Sequence, residues 1–493
     1  MFEAFLEAAA YLADPEVVLY VLLGSAIGLL FGALPGLGGI VALAVMLPFT
    51  FGMEQIPAMI FLAAIMGGVP FGGSIPAILL NTPGTAPNAA SCFDGYPMSR
   101  RGEGNRAIGI SATSSGLGAI FGLLVLLLLM PAVRRIVLLF GPAEFFMLVL
   151  FGLVTVSFAA RGNMIKGLVA AGVGILISFI GYSDVFGTLR FTGGVEYLWD
   201  GITLVPFMIG IFAVSELINY SIKGGTVATG EATPSGKILD GVREVWKHKV
   251  TFLRSSAIGT IVGIIPGVGG TVANFISYTT AKEASKSSHT FGEGNPEGLI
   301  ASESANNAKD GGALLPTVGF GIPGSAEMAL LLGGFILHGL NPGPLLITEH
   351  MDVVFALVIG LVASNVIATG LGLALRNHLG KLTALKVSYI IPIVLVLCFV
   401  GAYSIRTNIW DVVLVIGAGI FGYAFIKYGF PTVALIIGYI LGVLAERSFT
   451  QSLMVSGGDY SIFFTQPISL VLFILVVGVL VLPFARGKLR RKR

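Results

Sequence analysis

Long apolar segments recur along the chain, separated by short polar stretches. An α-helix needs about 20 apolar residues to cross a bilayer. Apolar segments suited to crossing a membrane lie near 17–34, 57–80, 107–130, 143–160, 164–182, 202–220, 256–278, 313–337, 352–375, 388–403, 410–426, 431–445 and 467–485. The pattern predicts an all-α polytopic membrane protein with roughly 12 transmembrane segments.

Composition supports this interpretation and excludes several classes of protein. Of the 493 residues, 55% are hydrophobic and 11% are charged, whereas a soluble domain carries about 25% charged residues. The net charge of +3 gives no indication of nucleic-acid binding. Cys92 and Cys398 lie far apart and the five histidines show no ligand spacing, so we expect no metal site and no cofactor.

A polar stretch divides the chain into two membrane halves. Residues 223–254 are rich in Lys, Arg and His and predict an aqueous connecting loop between a first half, 1–222, and a second half, 255–485. Residues 486–493 form a basic tail. The positive-inside rule places this tail and the connecting loop in the cytoplasm.

The two halves repeat each other. Residues 25–39 align with 256–270, and every Gly and Pro of the first segment falls on its counterpart in the second. A second pair, 76–90 and 316–330, follows at nearly the same separation. The repeat predicts an internal duplication, and we expect the two halves to be inverted relative to one another.

Each half carries two Pro-Gly pairs inside apolar segments, at 35–36, 83–84, 266–267 and 323–324. These pairs predict broken helices or re-entrant hairpins, which in secondary transporters surround the substrate site. Half-helix N-termini suit a carboxylate, and carbonyl ends suit Na⁺. The alternative is close helix packing, which we prefer for the scattered glycines Gly116, Gly118, Gly172 and Gly174.

Polar residues beside the breaks leave alternatives open. Asn81, Thr82 and Thr85 can bind a ligand, or the first two can cap the next half-helix. Candidates for cation binding are Thr271, Asn274, Asn306 and Asn307, although the first two equally suit interhelical hydrogen bonds. We expect Glu216 to lie at the membrane interface. Glu327 is expected to be a favourable negative charge at the start of a helix, although Glu327 could instead serve a coupling cation.

The motifs at 81–85, 92–98, 306–308 and 321–325 make the chain resemble the large membrane subunit of the tripartite tricarboxylate transporters over nearly its whole length. The resemblance implies a secondary transporter in the bacterial inner membrane. It implies a small membrane subunit and a periplasmic substrate-binding protein as partners, and a di- or tricarboxylate such as citrate as substrate. The coupling cation would be Na⁺ or H⁺.

The family motifs carry over onto matching positions as substrate-binding candidates. These are Pro35, Gly36, Gly38, Gly39, Asn81, Thr82, Pro83, Gly84 and Thr85 in the first half, and Pro266, Gly267, Gly269, Gly270, Pro323, Gly324 and Ser325 in the second. The chain departs from the family pattern at Lys309-Asp310. This pair is either satisfied locally or changes the charge of the substrate or ion pocket.

Together these features predict carboxylate uptake by cation-coupled alternating access. The alternative is an anion channel in which the same glycine loops form a filter. Catalysis is disfavoured because no nucleophile, base and orienting group fall together in the sequence.

Overall fold

The chain folds almost entirely into α-helices. The computed structural model describes residues 2–159, 163–223, 236–382 and 387–490. The helices of the first half are α1 (Phe2–Ala10), α2 (Pro15–Ala33), α3 (Gly38–Met46), α4 (Gln55–Leu80), α5 (Ala89–Arg100), α6 (Gly104–Val137), α7 (Pro142–Ala159), α8 (Met164–Ser178), α9 (Leu204–Met208) and α10 (Ser215–Lys223). A π-helix, Ile209–Val214, joins α9 to α10. A small antiparallel hairpin, β1 (Gly181–Ser183) and β2 (Thr188–Arg190), follows α8.

The second half is also helical in the residues that the structure describes. Its helices are α11 (Ile238–Lys247), α12 (Lys249–Ile264), α13 (Gly269–Ala284), α14 (Pro296–Phe320), α15 (Ala326–Leu337), α16 (Pro344–Glu349), α17 (Met351–Leu382), α18 (Val387–Arg406), α19 (Ile409–Lys427), α20 (Thr432–Val455), α21 (Ile462–Thr465) and α22 (Pro467–Arg490). The prediction of an all-α membrane protein is confirmed.

Among the residues that the structure describes, eight helices are long and apolar enough to cross a membrane, and five apolar helices are shorter. The eight are Pro15–Ala33, Gln55–Leu80, Gly104–Val137, Leu204–Ile222, Met351–Gly380, Tyr389–Arg406, Ile409–Lys427 and Thr432–Val455. Two of the shorter helices, Gly38–Thr50 and Ala326–Leu337, are half-helices next to the breaks, because a broken helix divides one apolar segment into two pieces. A total of 12 segments and an inverted relation of the halves stay predictions.

The first Pro-Gly break has the same backbone form in both halves. Helix α2 ends before Pro35 and α12 ends before Pro266, and a new helix starts a few residues later in each case. Two glycines in each break have positive φ, at 84° and 59° in the first half and at 76° and 69° in the second. Only glycine adopts this left-handed conformation without cost, so the repeated glycines follow from the repeated backbone.

The second break is also duplicated. Helix α4 ends at the left-handed residue Asn81 and α14 at the left-handed residue Gly321. The next amide in each half donates to the carbonyl of the in-helix proline six residues earlier, Pro76 at 3.3 Å and Pro316 at 3.2 Å. The prediction that helices stop near all four Pro-Gly pairs is confirmed.

Two buried helices form the centre of the bundle. Helix α4 packs between α2 and α17, and α14 packs between α12 and α6. Each half therefore sends one long helix across to cover the central helix of the other half. Glycines permit close approach, because a Cβ on Gly118 or Gly174 would collide with a backbone carbonyl. Among the described residues, Gly116 has one ordinary contact and Gly172 has none within 4 Å, so close packing against this part of the chain does not account for these two.

Asp94 of α5 fixes the loop that leads into α14. Its Oδ1 accepts hydrogen bonds from the amides of Gly292 and Gly294, both at 2.9 Å, and of Asn295 at 2.7 Å. Its Oδ2 accepts from the Tyr278 hydroxyl at 2.9 Å. The motif at 92–98 thus contains a carboxylate that joins the two halves.

The predicted connecting loop, 223–254, is described at Lys223 and from residue 236 onward, and it contains α11 and the start of α12. Glu244 of α11 accepts from Lys247 at 2.9 Å and pairs with Arg106 at 3.1 Å. Burial acts to raise the pKa of Glu244, but the two cations outweigh it and hold the pKa below its ordinary value of 4.5. Of the predicted tail, 486–493, residues 491–493 lie outside the described ranges.

Candidate functional site

A cavity of about 570 Å³ lies where the four helix breaks meet. Its wall includes backbone from both halves of the chain. The predicted substrate and ion residues that line it are Gly36, Gly38, Gly39, Pro83, Gly84, Thr85, Gly267, Gly269, Gly270, Thr271 and Ser325. The structure therefore brings together residues from distant parts of the chain, from Gly36 to Ser325.

Three half-helices begin at this cavity. The first residues of α3 and α13, and Ala326 and Glu327 of α15, line its wall. The first amides of a helix have no intrahelical acceptor, and the helix dipole makes this end positive. Because three such ends meet at one cavity, the wall can bind an anion without a lysine or arginine.

Two equivalent hydroxyls face the cavity but have different hydrogen bonds. The Thr85 hydroxyl donates to the Oδ1 of Asn88. The Ser325 hydroxyl accepts from the amide of Met328 at 3.3 Å and caps α15. Each oxygen keeps further hydrogen-bonding capacity, so both side chains can also contact a ligand.

Two carboxylates also line the cavity, Glu216 and Glu327. The sequence predicted an interfacial position for Glu216, but the structure places this residue beside the breaks. The reason is that α10 directly follows the π-helix, whose residues Ile211 and Phe212 line the cavity. Two negative charges beside an anion site disfavour anion binding unless cations accompany the anion. The cavity can therefore accept an anion and cations together.

The Lys309-Asp310 pair is satisfied locally. Lys309 donates to the Asp310 carboxylate at 2.6 Å, and both side chains are buried behind the cavity wall. A methyl group on Gly270 would lie 2.5 Å from Cε of Lys309. Of the two alternatives that the sequence left open, the structure favours the local pair, although Glu327 lies close enough to act on Lys309 electrostatically.

Several predicted site residues do not line the cavity. They are Pro35, Asn81, Thr82, Pro266, Pro323, Gly324, Asn274, Asn306 and Asn307. The prolines and Gly324 shape the breaks, and the Pro35 carbonyl accepts from the Tyr220 hydroxyl. The Thr82 hydroxyl donates to the Leu80 carbonyl at 3.1 Å.

The four predicted cation residues are not brought together at the cavity, where Thr271 alone is found. Asn274 donates to the Pro87 carbonyl at 3.0 Å, and Asn307 donates to the Asn365 side chain at 2.8 Å. Asn306 is buried within α14. These contacts favour the interhelical hydrogen bond for Asn274, one of the two roles that the sequence left open.

The sequence interpretation missed part of the wall and one buried acid. Val156 of α7 and the start of α20, Thr432–Ala434, complete the cavity. Ordinary apolar residues of this kind carry no local signal. Glu303 is different, because a glutamate within a run of small residues that leads into Asn306 and Asn307 is a recognisable sign of a charge buried in a helical bundle.

Comparison with known families agrees with this geometry. Residues 18–437 match the family described as "Tripartite tricarboxylate transporter TctA family". The chain belongs to this family. The match includes all four breaks and every residue that lines the cavity. TctA membership indicates a multi-pass component of a membrane transporter rather than an enzyme, and it implies further subunits.

Two curated relatives of this TctA chain come from Agrobacterium vitis. An uncharacterized 52.8 kDa protein in the TAR-I ttuC' 3' region is 32% identical over 484 residues, which cover 96% of this chain and 95% of that protein. An uncharacterized protein in the TAR-II ttuC' 3' region is 34% identical over 233 residues, which cover 47% of this chain and 96% of that protein. No solved structure matches the chain.

Proposed function

We propose that this TctA chain is the translocating subunit of a secondary active transporter for di- and tricarboxylates. The single observation that carries the proposal is the cavity between duplicated helix breaks. Matched breaks in two repeats are typical of secondary transporters, whose substrate lies between the repeats. Movement of one repeat against the other would then expose the cavity to each side of the membrane in turn.

The proposed substrate class follows from the cavity wall. Its volume of about 570 Å³ lies within the usual range for small-molecule sites, about 300–1,000 Å³. We assign carboxylate binding to the amides of the glycine loops and to the hydroxyls of Thr85 and Ser325. Among the described residues that line the cavity there is no Lys or Arg, so the helix ends provide the positive potential.

Cation coupling is supported by the acids in the same wall. Glu216 and Glu327 would repel a carboxylate substrate, and bound cations would remove this repulsion. A substrate that binds tightly only together with cations is moved by the cation gradient. The coupling cation is Na⁺ or H⁺ in this proposal.

The proposed partners are a small membrane subunit and a periplasmic substrate-binding protein, and the proposed location is the bacterial inner membrane. The word "tripartite" in the family description supports an assembly of three components. The binding protein would deliver the carboxylate to the cavity from the periplasm.

Reconstituted uptake tests the proposal. The chain and its partner subunits are placed in proteoliposomes, and uptake of labelled citrate is measured with and without an inward Na⁺ gradient. A transporter gives saturable uptake that accumulates substrate only when a cation gradient is present. Flux that neither saturates nor depends on cations would contradict the proposal and favour an anion channel.

A further inference from the structure

Glu303 of α14 is enclosed by serine hydroxyls from the other half of the chain. Its exposure is 0%. Its Oε2 accepts from Ser74 at 2.8 Å and from Ser111 and Ser115 at 2.9 Å each, and its Oε1 accepts from Ser91. The four hydroxyls come from α4, α5 and α6. Three helices of the first half therefore converge on one acid of the second.

This carboxylate has no counter-charge in the part of the chain that the structure describes. No lysine, arginine or histidine of the described residues forms an ion pair with Glu303. A buried carboxylate without a positive partner is unfavourable, and hydroxyl dipoles reduce that cost without cancelling the net charge. The site therefore favours an added positive charge.

The donor set indicates which positive charge. Each of the four hydroxyl oxygens lies within hydrogen-bond distance of one of the two carboxylate oxygens. This gives six oxygens in one cluster, and hard metal cations take about six such oxygen ligands. A serine hydroxyl rotates freely and has two lone pairs, so each serine can turn from donating to the carboxylate to binding a cation. One negative charge balances a monovalent cation and leaves a divalent one in excess. A proton would use only one or two of these oxygens.

A second observation points to the same helix face. Oδ1 of Asn307 is buried and has no hydrogen-bond partner among the described residues. Asn307 lies four residues after Glu303, a spacing that places both side chains on one face of α14. An amide oxygen left unpaired inside a protein is a further ligand of the kind that a hard cation uses.

Hydrogen bonds connect this cluster to the cavity. The Ser74 hydroxyl, which contacts Glu303, accepts a hydrogen bond from the side-chain Nδ2 of Asn88 at 2.8 Å. The Oδ1 of Asn88 accepts from Thr85, which lines the cavity. A cation that turns the Ser74 hydroxyl would therefore change the hydrogen bonds available to Thr85. This gives a physical route between the two sites.

We propose that Glu303 and its four serines bind one dehydrated monovalent cation of the size of Na⁺. The role of this cation as the coupling ion rests on the proposed transport function, whereas the binding of the cation to Glu303 does not. The site is separate from the predicted cation residues Thr271 and Asn274.

Direct Na⁺ binding tests the proposal. The purified full-length chain in detergent, without substrate, is titrated with radioactive Na⁺ at constant ionic strength, with choline as the replacing cation. We expect saturable binding by the wild type and its loss in Glu303→Gln. Ser111→Ala removes one ligand and should weaken binding by about tenfold or more.

Ser304→Ala is the matched control. This buried serine lies next to Glu303 in α14, but its hydroxyl donates to the Ile300 carbonyl of its own helix at 2.6 Å. We expect wild-type Na⁺ affinity in this variant. If Glu303→Gln does not fold, the comparison of Ser111→Ala with Ser304→Ala decides the question.

Three results would overturn the site. They are a folded wild type without saturable Na⁺ binding, wild-type affinity in Glu303→Gln, and equal losses in Ser111→Ala and Ser304→Ala. Citrate uptake measured in parallel separates this proposal from the transport function. Na⁺ binding through Glu303 without any uptake supports the site and contradicts the function. Gradient-driven uptake that is unchanged in a folded Glu303→Gln contradicts the coupling role of this cation and supports the function.

Discussion

Replacing Thr85 with valine removes one hydroxyl from the cavity wall and keeps the shape of the side chain. In the structure this hydroxyl donates to Asn88, and Cγ2 lies beside Gly38 of the first glycine loop. Valine retains a methyl group in that position. The substitution therefore changes hydrogen bonding at the cavity while it preserves packing.

The expected effect on transport is larger than the expected effect on stability. Loss of one neutral hydrogen bond within the protein costs about 0.5–1.5 kcal/mol. A hydrogen bond to a charged carboxylate contributes about 1.5–3 kcal/mol, which corresponds to a ten- to hundred-fold change in affinity. We expect Thr85→Val to raise the half-saturating citrate concentration by that factor, with little loss of protein from the membrane.

The assay is initial-rate uptake by the reconstituted complex, with the amount of subunit in the vesicles measured separately. Thr82→Val is the matched control, because Thr82 lies in the same break but bonds to the Leu80 carbonyl and does not line the cavity. Its half-saturating concentration should equal that of the wild type. Normal transport by Thr85→Val, or an equal defect in both variants, would refute the assignment of Thr85 to the substrate site.

Three further predictions concern stability, measured as thermal unfolding in detergent. Gly270→Ala places a methyl group 2.5 Å from Cε of the buried Lys309 and should cost about 1–3 kcal/mol through overpacking. Gly269→Ala, with nothing described within 4 Å of the added methyl group, should cost about 1–2 kcal/mol because of its left-handed φ alone. An unchanged melting temperature in Gly270→Ala would contradict this reasoning. Asp94→Ala leaves three amides and one hydroxyl unpaired and should cost at least about 3 kcal/mol, and an unchanged melting temperature would show that the loop before α14 is held by other contacts. Glu244→Gln should be less stable than the wild type by about 1 kcal/mol at pH 7. Because the folded-state pKa of Glu244 is lowered, the difference in stability between the two proteins should persist above pH 4.5 and disappear as the pH falls through that lowered value. A stability difference that stays constant on acidification would contradict the ion pairs.

The four helix breaks could be predicted from the sequence because their cause is local. Proline lacks an amide hydrogen and glycine adopts positive φ, so Pro35-Gly36 and Pro266-Gly267 limit the backbone wherever they occur. The repeat then indicated that the breaks belong together. The cavity confirms that they meet at one place.

The roles of individual polar residues could not be predicted in the same way. Asn307 pairs with Asn365, and Glu303 contacts serines from three helices of the other half. Such contacts depend on how distant helices pack, and no local spacing encodes them. Glu216 illustrates the same limit, because the π-helix before it turns a residue near the end of an apolar segment toward the cavity.

Protection of a cysteine at position 325 by substrate tests the central claim most directly. Ser325→Cys and, as control, Thr82→Cys are made in a chain whose Cys92 and Cys398 have been replaced, and each complex in proteoliposomes reacts with a hydrophilic maleimide. If the cavity between the breaks binds the carboxylate, saturating citrate with Na⁺ should slow labelling at position 325 and leave labelling at position 82 unchanged. Labelling at position 325 that is unaffected by citrate in a complex that still transports it would contradict the account.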